Sequence, residues 1–230
     1  KGNYPLSNFV GCSISISLKK LKNKIFYHLP ITMPLLILVR HGQSIWNAAN
    51  LFTGWENVEL SEKGISEAKN AGKELSEIKF DTVFTSELIR AQKTAEIIIG
   101  KNSQEKPKSI ISDFRLNERH YGDLQGMNKD DARKEFGKEQ VHIWRRSFDI
   151  PPPNGESLKM TSERTLPCFD ELIIPELKAN KNVLVSAHGN SLRSIVMKLE
   201  NFNEKEIVKL EIPTGVPRIY TFENDNFKLI

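Results

Sequence analysis

The sequence predicts an α/β protein with a mostly parallel central sheet and helices on both faces, in the doubly wound manner. Three observations carry that expectation. Short apolar runs of strand length alternate with longer segments whose apolar residues recur at helical spacing. Two of those runs break straight into His-Gly-x-Ser, at His41–Ser44 and at His188–Ser191. Breaker clusters such as DIPPPNGES (149–157) fall between the periodic segments.

The elements follow in order. Leu35–Val39 is uninterruptedly apolar, as a strand buried on both faces must be. Ser61–Lys79 reads as a helix, with Ile65, Ala68, Ala71, Leu75 and Ile78 on one face and Ser61 as N-cap. Asp81–Ser86 is a short strand, and Glu87–Ile99 a helix. SIISDFRL (109–116) is a strand candidate, and Asp130 to about Trp144 a helix with a polar face. Glu163–Leu177 is helical in pattern, with Pro167 and Pro175 blurring its limits. Val183–Ser186 is a strand, with a helix from about Ser191. Residues 218–230 close as an antiparallel hairpin around Asn224–Asn226. No period of solenoid length recurs.

The 230 residues carry a net charge of +4, but unevenly. Residues 1–33 hold five lysines (Lys1, Lys19, Lys20, Lys22, Lys24) and no acid, so the rest is near neutral. That argues against nucleic-acid binding by the folded part. Two cysteines, Cys12 and Cys168, do not make a disulfide framework. No apolar run approaches the length of a membrane span. Residues 1–32 read as an N-terminal extension: a targeting segment, a disordered tail, or translated upstream sequence with Met33 as the natural start. Residues 33–230 read as one domain.

In an open α/β sheet, ligands bind beyond the carboxyl ends of the strands. His41 and His188 are both expected there. Gly42 and Gly189 let the backbone turn sharply and come close to a ligand. Arg40 precedes His41, and Arg90 opens the helix after the VFTS strand. Forked guanidiniums suit phosphate and oppose a divalent cation, so two imidazoles with arginines describe a phosphate pocket with no metal. Read alone, a histidine after a strand is more often an ordinary loop residue; the repeated turn with a flanking arginine shifts that balance. His28 and His142 stay with the ordinary reading, and His120, beside Glu118 and Arg119, stays open.

Seven stretches carry a resemblance. LVRHGQSIWN (38–47) resembles the Arg-His-Gly signature of the histidine phosphatase superfamily. FTGWENVELSEKG (52–64), TSELIRAQKTA (85–95), RLNERHYGDLQGMNK (115–129), IWRRSFDIPPP (143–153), SAHGNSLR (186–193) and IPTGVPRIY (212–220) resemble, in order, the cofactor-dependent (2,3-bisphosphoglycerate-dependent) phosphoglycerate mutases. The resemblance runs from about Met33 to about Ile219.

It implies that His41 is the nucleophile and becomes phosphohistidine, with its other nitrogen fixed by a backbone carbonyl. His188 is then the second imidazole, Arg40 and Arg90 the phosphate clamp, and Glu118 the acid/base. Anions bound nearby would raise the Glu118 pKa. Without the resemblance, Glu118 reads as an ion-pair partner of Arg115 or Arg119. Asn47, Thr53, Gly54, Tyr121, Lys129, Arg145, Arg146, Gly189 and Asn190 match the family's substrate contacts. The implied reaction interconverts 3-phosphoglycerate and 2-phosphoglycerate, primed by 2,3-bisphosphoglycerate. Implied partners are small phosphoglycerates, with no nucleic acid or membrane. A homo-oligomer, first a dimer, and a cytoplasmic location are expected, or an organelle if residues 1–32 are a targeting segment.

The sequence departs from the family's usual pattern at Gln43, where Glu is usual, and in a short connection after Pro153. It also ends at Ile230, where many members continue into a mobile tail; a weaker lid predicts phosphatase leakage. Two rival functions follow: a histidine phosphatase acting on small phosphate esters, and a non-catalytic phospholigand-binding module.

Overall fold

The computed structural model describes residues 33–230. The expectations for residues 1–32, with Cys12 and His28, lie outside the described residues. In chain order the strands are β1 (Leu35–Arg40), β2 (Thr82–Thr85), β3 (Ser109–Ser112), β4 (Val183–Ala187), β5 (Pro217–Glu223) and β6 (Asn226–Leu229). The helices are α1 (Ile45–Ala48), α2 (Glu62–Glu74), α3 (Ile89–Lys101), α4 (Lys129–Phe136), α5 (Lys138–Arg146), α6 (Leu158–Cys168), α7 (Ile174–Lys178), α8 (Gly189–Leu199) and α9 (Glu204–Ile207).

The strands form one sheet in the order β3-β2-β4-β1-β5-β6. β3, β2, β4 and β1 run parallel, and β5 and β6 close the edge as an antiparallel hairpin. One face packs on α6 to α8, where Leu36, Leu38, Val183 and Val185 meet Phe169, Ile173, Ile195 and Val196. The other lies against α3, whose Ala91 carbonyl accepts from Ser186 Oγ at 2.8 Å; α2 packs on α3. From β1 the chain crosses over β4's place to β2 and β3, then returns to fill the gap with β4. Arg40 lies opposite Ala187 in the parallel register, so His41 and His188 leave the sheet side by side. His41 N donates to the Ala187 carbonyl at 2.9 Å and ties the two strand ends together.

Several boundaries differ from the sequence reading. Ser61 does cap α2, accepting from Gly64 N at 3.1 Å. The helix stops at Glu74 rather than Lys79, because Asn102 Nδ2 takes the carbonyls of Leu75 and Ile78 (2.9 and 2.8 Å). The α3 helix starts at Ile89 and not at Glu87. The strand candidate 109–116 ends at Ser112; Asp113 accepts from Arg115 N at 2.8 Å and starts a tight 3-10 turn. The helix expected over 130–144 is two helices, split by Gly137 at φ 88°. The helix expected from Glu163 starts at Leu158, where Ser157 Oγ accepts from Met160 N at 3.1 Å. It passes Pro167, widens into a π turn over Phe169–Ile173, and resumes as α7, in whose first turn Pro175 needs no donor. α8 starts at Gly189, two residues early.

Candidate active site

The close approach of two glycines builds the first half of the site. A Cβ on Gly42 would lie 2.2 Å from the Gly64 carbonyl oxygen, and one on Gly64 would lie 2.1 Å from that of Gln43. Only bare backbone lets the turn after β1 press against the start of α2. Thr94 Oγ1 accepts from Gly42 N at 3.1 Å. His41 is thereby held 2 % exposed, with Nδ1 2.6 Å from the Gly42 carbonyl oxygen. That oxygen can only accept, so Nδ1 carries the proton and Nε2 keeps its lone pair.

His188 is fully buried, its ring centroid 4.9 Å from that of His41. Its Nε2 meets Ser86 Oγ at 2.7 Å, while Nδ1 has no partner. A Ser86 hydroxyl donating to Nε2 leaves an Nδ1–H donor for a ligand oxygen. Burial holds both imidazoles well below the ordinary histidine range, and Arg90 and Arg40 add to it. Both are neutral at pH 7.

Arg90, buried at 1 % exposure, donates Nη1 to the Glu56 carbonyl and Nη2 to the Gly54 carbonyl, both at 2.7 Å. It thus fixes the loop that carries Thr53 and Gly54. Burial lowers it to about 10, which still leaves it cationic. Arg40 donates Nη1 to the Ile212 carbonyl at 2.8 Å. The Nε groups of both arginines are buried without a partner. Arg40 and Arg90 act on the charge of His41, and the His188 ring lies beside it; their unpartnered nitrogens are donors that a bound phosphoryl group would satisfy.

Glu118 forms no ion pair with Arg115 or Arg119, contrary to the plain reading of its neighbours. Arg115 pairs with Asp113 and Glu171, and the Arg119 guanidinium donates to Tyr121 Oη. Glu118 Oε1 instead accepts from Arg119 N (2.8 Å), Asn190 N (3.1 Å) and Asn190 Nδ2 (2.9 Å). Burial pushes its pKa up, but these bonds and the charges of Arg40 and Arg119 prevail and hold it below the carboxylate range. The expected rise belongs to a pocket that holds anions; without them the surrounding field is cationic.

The cleft has a cavity volume of about 130 Å³. Arg40, His41, Asn47, Thr53, Gly54, Arg90, Glu118, Tyr121, Lys129, Arg145, Arg146, Gly189 and Asn190 all line it; His188 does not, but its ring lies beside that of His41. Asn47 Nδ2 donates to Thr53 Oγ1 at 3.4 Å. Lys129 opens α4, with its pKa lowered by burial and by Arg145. Arg145 and Arg146 end α5. Six cations and two carboxylates therefore face one space. Gly189 opens α8 against them; a Cβ there would sit 3.6 Å from Glu118 Oε2 and 3.7 Å from Arg40 Nε. His120 stays outside, accepting from Gly122 N at 3.0 Å through Nδ1, with its ring edge on Trp55.

The profile of the histidine phosphatase superfamily (branch 1) matches residues 36–230. The chain belongs to that superfamily. Within it, the chain is 50% identical over 221 residues to the 2,3-bisphosphoglycerate-dependent phosphoglycerate mutase of Protochlamydia amoebophila, covering 85% of this chain and 98% of that one. It is 55% identical over 193 residues to the phosphoglycerate mutase of Schizosaccharomyces pombe, covering 83% of this chain and 91% of that one. The superfamily fold recurs in Bacillus stearothermophilus YhfR, at a TM-score of 0.75 and 26% identity over 85% of this chain and 95% of that one.

Four cleft residues were not singled out from the sequence: Leu51, Phe52, Arg193 and Glu211. Arg193 follows His188 by five residues, which was a signal; Glu211 had none. A further layer lies behind Glu118. Arg164 of α6 donates to the carbonyls of Arg115 (2.9 Å), Asn117 (3.0 Å) and Glu118 (2.8 Å), and grips Glu156 with two bonds of 2.8 Å. Glu156 in turn accepts from His120 N at 2.8 Å. The segment carrying Glu118 is thus held by its backbone. The Pro-rich segment closes on it, with the Pro153 carbonyl accepting from Asp123 N at 3.0 Å.

Proposed function

We propose that this protein is a phosphoglycerate mutase that interconverts 3-phosphoglycerate and 2-phosphoglycerate through phosphorylated His41. The observation that carries the proposal is the pairing of two anion grips with an acid/base at the histidines. Arg40, Arg90 and His188 lie near His41, and Lys129, Arg145 and Arg146 are further cations that line the same cleft. A phosphatase needs the first grip. A mutase must also hold a second anionic group while the substrate turns. The identity to mutases over most of the chain supports the same reading.

2,3-Bisphosphoglycerate supplies the priming phosphoryl group. The rest of the chemistry falls to this chain. Nε2 of His41 presents its lone pair to phosphorus, forming the N–P bond as the P–O bond to the departing alcohol breaks. Arg40 Nε, Arg90 Nε and His188 Nδ1 donate to the equatorial oxygens, where charge accumulates. Glu118 delivers a proton to the departing oxygen and takes one from the attacking hydroxyl in the return step. Bound anions raise its pKa for that task. Tyr121, Lys129, Arg145, Arg146 and Asn190 orient the phosphoglycerate, with Asn47, Thr53, Gly54 and Gly189 shaping the inner wall. No residue in this scheme calls for a metal.

The proposal extends to residues 33–230 as the catalytic domain, with residues 1–32 an extension. It also takes in a homo-oligomer, first a dimer, working in the cytoplasm, where the reaction serves glycolysis and gluconeogenesis. An enolase-coupled assay with and without 2,3-bisphosphoglycerate tests the activity. Formation of 2-phosphoglycerate that depends on the primer is expected; release of inorganic phosphate alone makes the protein a phosphatase instead.

A further inference from the structure

The segment 208–212 brings Glu211 to the cleft and takes hold of three of the cleft's arginines. Arg40 Nη1 donates to the Ile212 carbonyl (2.8 Å), Arg193 Nε to that of Leu210 (2.8 Å), and Arg146 Nη1 to that of Val208 (3.4 Å). Between these carbonyls stands Glu211. Its carboxylate pairs with Arg146 Nη2 and lies 3.6 Å from Arg193 Nη2. Glu118 and Glu211 are the two carboxylates that line the cleft among the described residues, and they differ in kind. Glu118 is buried and held by three N–H donors. Glu211 is 65% exposed and meets only guanidiniums, so nothing but charge keeps it in place.

We propose that Glu211 sets the affinity of this pocket: it occupies Arg146 and Arg193 when no ligand is bound, and the anionic end of a phosphoglycerate displaces it. This rests on the mutase reading for the identity of the ligand. An arginine that must release one carboxylate before taking another anion gains less from the exchange. Six cations facing a ligand that carries both a phosphate and a carboxylate would otherwise hold substrate and product alike, and uniform tight binding adds nothing to turnover once the enzyme is saturated. An exposed carboxylate that can swing into solvent lowers that affinity without disturbing the groups around His41. The opposing view is that Glu211 merely braces Arg146 for ligand contact. The two views predict opposite signs.

The experiment compares full-length wild type, Glu211→Gln and Glu211→Ser, with Glu74→Gln as a control that removes one exposed acid far along α2. Binding of 3-phosphoglycerate to the unprimed proteins is followed by calorimetry, and KM by the enolase-coupled assay. Both Glu211 variants are expected to bind 3-phosphoglycerate about two- to fivefold more tightly, the range an exposed ion pair carries. KM falls by a similar factor, and Glu74→Gln matches wild type. Unchanged or weaker binding in both Glu211 variants overturns the proposal, as does an equal gain in Glu74→Gln. Tighter binding by the variants in a protein that forms no 2-phosphoglycerate sustains the role of Glu211 and overturns only the mutase reading. No binding of 3-phosphoglycerate to any of the four proteins overturns both.

Discussion

In the proposed reaction His41 attacks as a neutral imidazole, and it is neutral because of where it sits. An imidazole in water gives up half its nucleophilic form at its ordinary pKa of about 6.5. Burial among Arg90 and Arg40 moves that point well down for His41. The kcat/KM of the mutase reaction should therefore show no inflection near pH 6.5, and its acid limb should lie lower; a pH–rate profile checks this. The same shifts act on stability. Below about pH 6.5 the unfolded chain binds protons at His41 and His188 that the folded chain refuses, so stability falls as pH falls. The slope reaches about 1.4 kcal/mol per pH unit for each histidine. Thermal unfolding between pH 7 and pH 5 should show Tm falling on acidification, less steeply in His188→Asn. The two histidines were legible in the sequence because each follows a strand and precedes a glycine. The state of Glu118 was not, since its partners Asn190 and Arg40 come from distant parts of the chain.

Among the elements, the turn after β1 depends on the contact between Gly42 and Gly64. Gly42→Ala should force that turn away from α2, cost about 1–3 kcal/mol as an overpacked site does, and displace His41. Denaturant unfolding and the coupled assay should record both losses together. Arg164 makes a second such point. Its pair with Glu156 is largely buried, with side chains 14% and 17% exposed. Arg164→Ala leaves the buried Glu156 carboxylate without its charge partner, held only by neutral donors such as His120 N, and should cost about 3–5 kcal/mol. Arg164→Lys keeps the charge but loses the fork, so it should retain more stability while still lowering kcat, through looser placement of Glu118. The strands and the order of helices were readable from periodicity. The boundaries were not. Asn102 ending α2 from across a loop is invisible to a local pattern. Gly137 dividing α4 from α5 was a local signal, hidden by the polar periodicity that continues through it.

For the whole molecule, the site is a junction of segments spread over most of the fold. β1 delivers Arg40 and His41, α3 delivers Arg90, α5 delivers Arg145 and Arg146, and α8 delivers Gly189, Asn190 and Arg193. A near-neutral body thus concentrates six cations in one cleft. Added salt screens such a field, so KM for 3-phosphoglycerate should rise between about 50 mM and 500 mM KCl, with kcat little changed. The doubly wound sheet was legible because strands and helices alternate so regularly. The segment 208–212 was not, because it contributes mainly carbonyl oxygens, which no residue type reveals. The most direct test of the mutase reading is the enolase-coupled assay on wild type and His41→Ala, with and without 2,3-bisphosphoglycerate. Primer-dependent 2-phosphoglycerate formation by wild type, with neither turnover nor acid-labile phosphorylation in His41→Ala, is the expected result. Mutase activity that survives His41→Ala, or wild type that only releases phosphate, would contradict it.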